Sequence, residues 1–454
     1  MNKPRFVRML CLAAAAVLLL SLTGCSFLEE LAGQAIEDLT SKLEQQLQTT
    51  GSEPSGTQTD PGVTTAGRPT DGPTQPTTRT TAAPTAKPTE PPVTWKDTYV
   101  PSYGKTVTVN KSKPDQTEYW RSTLTPQAER DAYDAIAAGA AAYQTRIEIP
   151  SAVSWEQADR IYVLFCCDHP EVFWYKDGYY GTGPVNNIDA INLSLSVSVQ
   201  DIPAKKKQIE AAAKKILDDI PNGTADILAE LTVYQRLAAE ITYDLDAPHL
   251  RDLYGALVEK RCVCVGFADA FRYLCSRLGI RTISITGRAT NDAGKTEAHR
   301  WNAVMIGGQW YQVDVTFAAG SALGQVKYFN NSEKIRANHT PSQGMSDLPS
   351  FHAEAAEYLR YFGLVYQNGD FYDTMMRAIR HFDERWVRTD PTLRVTMRAG
   401  SAAAAQAVKG RLQKEGDAYL EQIVRDYNAV FRTDFILWDY EFQDDLLLLR
   451  LVAL

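Results

Sequence analysis

Residues 51–93 separate this chain into a short N-terminal part and a longer folded part. The stretch is almost entirely Thr, Pro, Gly, Ser and Ala, and Pro54, Pro61, Pro69, Pro73, Pro76, Pro84, Pro88, Pro91 and Pro92 punctuate it. Such a composition buries too little apolar surface to offset chain entropy, so an extended, disordered segment is expected. As a coil it spans about 35–40 Å, and drawn into polyproline form it reaches over ~100 Å. It reads as a tether, with residues 51–94 joining whatever precedes it to the folded part.

What precedes it is short. Lys3, Arg5 and Arg8 lead into an apolar run over 9–20, less than the ~20 residues that span a bilayer. Leu22-Thr23-Gly24-Cys25 follows. This resembles a bacterial lipoprotein signal over 1–24, which implies cleavage before Cys25 and lipid attachment to that thiol. An ordinary secretory signal cut near Ser21 or Gly24 is the alternative, and either one exports the chain. The expected location is the cell envelope, lipid-anchored to the outer face of the bacterial cytoplasmic membrane. In 25–50, Leu28, Leu31, Ala35, Ile36, Leu39, Leu43 and Leu47 recur at helical spacing with acidic residues between them. A single membrane-proximal helix of this length has little to pack against.

The chain as a whole has the composition of a globular protein, with 44% hydrophobic and 22% charged residues over 454 positions. A net charge of −8 excludes nucleic acid as the expected partner, since that role needs a basic footprint. By the lipoprotein resemblance, Cys11 leaves with the signal and Cys25 is expected to carry lipid. Cys166, Cys167, Cys262, Cys264 and Cys275 remain, an odd set that disulfides within the chain cannot exhaust.

Periodicity predicts helices over 123–143, 155–167 (after Ser154 as N-cap), 204–217 and 226–241. Strands are expected at 170–175 and 191–199. Beyond residue 338, helices at 372–382, 402–413 and 419–427 alternate with strands at 392–397, 435–438 and 446–451. The fold class is therefore α+β: an N-terminal extension over 95–235, a core over 236–337 and a C-terminal α+β module over 338–454.

Three segments of the core carry chemistry. In Arg261-Cys262-Val263-Cys264-Val265-Gly266-Phe267-Ala268, a helical stripe starts behind Cys264 and stops at Gly279. Cys264 then sits in the first turn, where unpaired N–H groups and the positive helix end favour a thiolate. Gly266 lets a substrate or neighbouring backbone approach closely. Cys275 falls on the buried stripe, while Cys262 reads as packing or a disulfide partner ahead of a competing thiol. Strands over 298–306 and 309–317 are joined at Gly307-Gly308, a favoured two-residue hairpin turn. Pairing Ile306 with Gln309 places Trp301 opposite Asp314, and makes His299 and Asp314 diagonal neighbours on one face. A slip of one residue would separate them. Cys264 as nucleophile, His299 as base and Asp314 as its orienter is the set expected for acyl transfer through a thioester.

These residues, together with Ile241-Thr242-Tyr243-Asp244, Tyr254-Gly255-Ala256-Leu257-Val258 and Trp310-Tyr311-Gln312-Val313-Asp314, resemble the transglutaminase-like superfamily over 241–317. That family shares its Cys-His-Asp logic with papain-like proteases. The resemblance implies a nucleophile helix packed on an antiparallel sheet, with Cys264, His299 and Asp314 in the roles just given. Gly266, Arg300, Trp301 and Asn302 are the neighbouring candidates for substrate binding. The chain departs from the family pattern at Cys262, where a small residue is usual, at Arg300, where Ala is common, and at Phe317, where Trp is common.

No metal is expected, because Cys262-Val263-Cys264 lacks a second spaced pair. No cofactor is expected either, since no phosphate-cradling glycine loop follows a strand. The expected function is a surface-anchored cysteine enzyme acting on amide bonds, a peptidase or amidase ahead of a cross-linking enzyme, with an extracellular protein or a cell-wall peptide as substrate. The alternative is a surface binding or scaffolding module that keeps the fold without turnover.

Overall fold

A computed structural model describes residues 93–321, 323–385 and 392–453. The expected signal, Cys25, the membrane-proximal helix and nearly all of the tether lie outside these residues. Among the described residues, no helix is long and apolar enough to cross a membrane.

The first layer is mixed. Helices Tyr119–Thr123 and Gln127–Ala141 lead into β1 (Arg146–Glu148), and helix Trp155–Asp168 follows. Ser154 caps that helix, as the sequence predicts. Its hydroxyl accepts the Gln157 N–H at 3.2 Å, and the Gln157 side chain accepts the Ser154 N–H at 2.9 Å, so two orphan donors of the helix start are satisfied reciprocally. β2 (Tyr175–Thr182) and β3 (Ala190–Leu195) complete an antiparallel sheet in the order β1-β3-β2.

Two expectations shift here. Residues 170–174, expected as a strand, form a turn and loop, and β2 begins only at Tyr175. The Val172 N–H bonds back to the His169 carbonyl at 3.0 Å, which turns the chain at the helix end, while Phe173 and Trp174 are buried. Their apolarity anchors a loop. The strand expected to reach residue 199 stops at Leu195, because the Ser196 N–H turns to the Trp174 carbonyl at 2.8 Å.

Helices Ile202–Leu217 and Asp226–Glu240 are followed by β4 (Thr242–Tyr243) and β5 (Arg261–Cys262), which pair in parallel. The central helix, Cys264–Arg277, is buried at every position through Cys275. It ends where Gly279 adopts φ +78°, a left-handed stop that glycine takes without a Cβ penalty.

β6 (Thr282–Thr290), β7 (Thr296–Ile306), β8 (Gln309–Val313) and β9 (His339–Pro341) form an antiparallel sheet in the order β8-β7-β6-β9. The β7–β8 hairpin has the expected register, from Ile306 opposite Gln309 to Asn302 opposite Val313. Gly307 and Gly308 turn it at φ +59° and +80°. Pairing does not continue to residue 317 as the sequence suggests. Asp314 instead starts the short helix Val315–Ala319, with its carboxylate accepting the Phe317 N–H at 3.1 Å.

On β6, Gly287 stands opposite His299 of β7, and Ala289 stands opposite His339 of β9. Directly opposed residues share a face, as do positions two apart on one strand. His299 and His339 therefore stand on one face, with only a hydrogen and a methyl group between them.

The distal region contains β10 (Val365–Tyr366), helix Phe371–Asp383, β11 (Thr392–Ala399), helices Ala402–Glu415 and Ala418–Phe431, β12 (Phe435–Gln443) and β13 (Leu446–Ala453). Its sheet runs β10-β11-β13-β12. One apolar core extends from Tyr103 through Phe271 and Leu274 of the central helix to Leu451, so buried packing is continuous across positions 235 and 337. A second core joins helix Trp155–Asp168 to the other side of the sheet at Ile283, Ile285 and Trp301.

Candidate active site

Cys264 is the first residue of the central helix. Val263, extended before it, donates its N–H to the Leu250 carbonyl at 2.8 Å and offers no side-chain cap. The first-turn N–H groups thus keep their positive end for whatever anion lies there. Gly266 is needed at this turn for packing. A Cβ there would lie 2.7 Å from both Cβ and Sγ of Cys262 and 3.2 Å from the Asp252 carbonyl oxygen. The space beside Gly266 is therefore filled by Cys262, and substrate does not occupy it. All five described cysteines are free thiols.

The structure brings Cys264, His299 and Asp314 together. The Cys264 thiol and the His299 ring lie close enough to interact, and His299 Nε2 lies 2.8 Å from Asp314 Oδ2, which leaves Nδ1 for the sulfur. Trp301 stacks on His299 with ring centroids 6.2 Å apart and planes 14° apart, and Phe317 covers it at 4.6 Å. Cys264 keeps 7% of its surface accessible, His299 5% and Asp314 none. Tyr243, 48% exposed, lies close enough to the thiol for their charges to interact.

Electrostatics favour a charged pair. Burial pushes the Cys264 thiol up, but the hydrogen bond and charge of His299, with the N–H and guanidinium of Arg300, outweigh it and hold the thiol below its ordinary value. Burial also opposes charge on His299, yet Asp314 and the thiolate carry its pKa up to about 10. Asp314 is held well below the usual carboxylate range: burial raises it, and His299 and His339 outweigh burial. By contrast, burial pushes Cys166 up to about 12 and Cys167 up to about 11.

The neighbouring candidates hold the site in place. Arg300 pairs with Asp269 of the central helix at 3.1 Å, both nearly inaccessible. Trp301 Nε1 donates to Gln312 Oε1 at 2.9 Å, locking β7 to β8. Asn302 Nδ2 donates to the Ala268 carbonyl at 3.1 Å and so ties the central helix to the sheet. A 110 Å³ cavity lined by Val265, Asp269 and Arg300 with Tyr162, Cys166 and Tyr179 lies beside them.

One residue escaped the sequence reading. His339 Nε2 lies 3.0 Å from Asp314 Oδ2, the same oxygen that His299 holds. It is delivered by a three-residue strand whose pairing with β6 bridges 50 residues, from Ala289 to His339. The three-residue strand has no local sequence signature.

His299, Asp314 and His339 place three potential metal-ligand atoms within 4.8 Å of one another. Their contacts of 2.8 and 3.0 Å are hydrogen-bond lengths, whereas two ligands on a tetrahedral zinc stand roughly 3.3 Å apart. The residues fit shared protons better than an ion.

Residues 214–315 match the family model described as the transglutaminase-like superfamily. The span includes Cys264, His299 and Asp314 and leaves His339 outside. Kyphoscoliosis peptidase of the mouse (Mus musculus) is 22% identical over 133 residues, covering 26% of this chain and 20% of that protein. Among solved structures, a TGase aligns at 15% identity with a TM-score of 0.23, over 31% of this chain and 44% of its own. The periplasmic domain of TgpA from Pseudomonas aeruginosa bound to ethylmercury aligns at 17% identity with a TM-score of 0.19, over 30% of this chain and 58% of its own. The chain spans about a fifth of the mouse protein's length. With an α+β fold, a central helix starting at Cys264 and the matched span around it, residues 214–315 constitute a transglutaminase-like superfamily domain.

Proposed function

We propose that this chain is an exported cysteine enzyme, anchored through Cys25, that transfers acyl groups from amide substrates. The observation that carries the reading is the alignment of Cys264 with His299, whose Nε2 is held 2.8 Å from Asp314 Oδ2. The thiolate attacks the carboxamide carbon, and the oxyanion that forms is met by the uncapped N–H groups of the central helix. The His299 imidazolium gives its proton to the leaving amine as the C–N bond breaks, leaving a thioester on Cys264. His299, now neutral, takes a proton from water as it attacks the thioester; the carboxylic acid leaves and the thiolate–imidazolium pair returns. Water as acceptor makes the enzyme a peptidase or amidase, and this outcome is favoured over a lysine amine and cross-linking. The tether sets the domain among wall peptides and surface proteins, which are the proposed substrates.

The 7% accessibility of Cys264 favours a second reading, a binding module that retains the site without turnover. Alkylation by iodoacetamide separates the two. With the full-length chain and its His299→Ala variant, the rate at Cys264 is followed against pH by peptide mass spectrometry. A thiol pKa well below the ~8.5 of free cysteine, lost in the variant, supports the enzyme. Slow alkylation with an ordinary pKa in both supports the binding module.

A further inference from the structure

We propose that His339 is a positioning residue of this site: it shares Asp314 Oδ2 with His299 and thereby sets both the direction of the carboxylate and its pull on the His299 proton. The inference rests on the enzymatic reading above and deepens it.

The carboxylate has no idle oxygen. Oδ1 accepts the Phe317 N–H at 3.1 Å, while Oδ2 faces His299 Nε2 at 2.8 Å and His339 Nε2 at 3.0 Å. The His339 side chain has no accessible surface. Its ring stands edge-on to Trp301 at 4.8 Å and to His299 at 5.4 Å, so it cannot swing away. Its position depends on small residues of β6, and a Cβ on Gly287 would collide with the Thr340 carbonyl at 2.1 Å.

The other ring nitrogen is committed as well. His339 Nδ1 lies 2.7 Å from Asn338 Oδ1, and the Asn338 amide nitrogen already donates to the Thr290 carbonyl at 3.0 Å. Both nitrogens of His339 therefore face acceptors, and a neutral imidazole has one proton to offer. The anionic carboxylate makes the stronger claim on it. Every donor placed on Asp314 weakens the attraction that Asp314 exerts on His299, so His339 restrains the rise of the His299 pKa. A cationic His339 would restrain it further, and the sign is the same in both states. Burial and the His299 charge, against the pull of Asp314, hold His339 below its ordinary value.

The other titratable groups facing this cluster are Cys264 and Arg300 on the side of the central helix, with Tyr234 and Tyr328 near Asp314. Burial raises both phenols, so neither loses its proton in the range that matters.

The test uses the full-length chain, iodoacetamide and two variants that differ by one methylene. The amide of His339→Gln reaches the carboxylate as Nε2 does; that of His339→Asn stops at the level of Nδ1. In His339→Asn the plateau between thiolate formation and His299 deprotonation is expected to widen. Its upper limb should rise by on the order of one pH unit, the size that one charge-assisted hydrogen bond supports. His339→Gln is expected to return both limbs to their wild-type positions. If both variants keep the wild-type limbs and lose only amplitude, in step with the folded fraction seen by circular dichroism, His339 is packing and the proposal is overturned. A wild-type profile with a single limb near ~8.5 removes the enzymatic reading and this role with it.

Discussion

His299 Nε2 and Asp314 Oδ2 stand 2.8 Å apart, although the strands that deliver them stop pairing one step earlier, at Asn302 and Val313. Asp314 is extended at φ −132° and ψ 104° and caps the helix that follows. Its carboxylate is fixed by that cap on one oxygen and by two imidazoles on the other.

Asp314→Asn separates these duties. The amide oxygen can still accept the Phe317 N–H, so the urea midpoint should change little from loss of the cap. The negative charge that supports the His299 imidazolium is lost, and the Cys264 thiol should climb toward its ordinary value. Alkylation at pH 6.5 is expected to slow about tenfold for each unit of that climb. Asp314→Ala should show the same slowing and a further loss of about 1 kcal/mol from the missing cap.

Cys262 and Gly266 are coupled by contact. Gly266→Ala should destabilise the domain by about 1–3 kcal/mol, because its Cβ meets Cys262 and the Asp252 carbonyl. Adding Cys262→Gly should recover much of that loss. Urea unfolding of both single variants and the double variant measures the coupling, and additive losses would contradict the contact.

Arg300 and Asp269 form a buried pair whose rupture strands a charge. Arg300→Met alone should cost about 3–5 kcal/mol, and Arg300→Met with Asp269→Leu should cost far less. Equal losses in the two variants, read from urea midpoints, would place the value of Arg300 in some contact other than Asp269.

Asp269 also predicts a pH dependence. Burial raises its carboxyl, against the pull of Arg300, to about 6. A carboxyl whose pKa is higher folded than unfolded gives stability that is fully present below its unfolded value of ~3.9. That stability is lost as pH rises through about 6. Relative to wild type, Asp269→Asn should therefore lose this fall in stability between pH 4 and 7. Parallel curves for the two proteins would show that Asp269 titrates as an ordinary carboxyl.

The elements that read clearly in the sequence are those set by local chemistry. The Ser154 cap, the Gly307-Gly308 turn and the β7–β8 register follow from turn residues and alternation, which act over a few positions. That register is what set His299 beside Asp314. Phe173 and Trp174 misled because a buried loop and a buried strand share the same apolar run. Strand pairing gave way at Asp314 because a carboxylate beside free N–H groups makes a good helix start. His339 was out of reach for a different reason: its place depends on β9 docking along β6, a tertiary contact with no local periodicity.

Asp314 holds two kinds of employment, and Cys264 holds one. A descendant of this chain that had given up its chemistry would still need an acceptor at position 314 to begin a helix, and an anion there to keep two imidazole rings from facing each other unbridged. It would owe nothing comparable to a thiol at position 264, where serine or alanine would fill much the same space. Decay of the reaction would be written first in the nucleophile and last in the acid, so a retained aspartate among relatives testifies to architecture and a retained cysteine testifies to use.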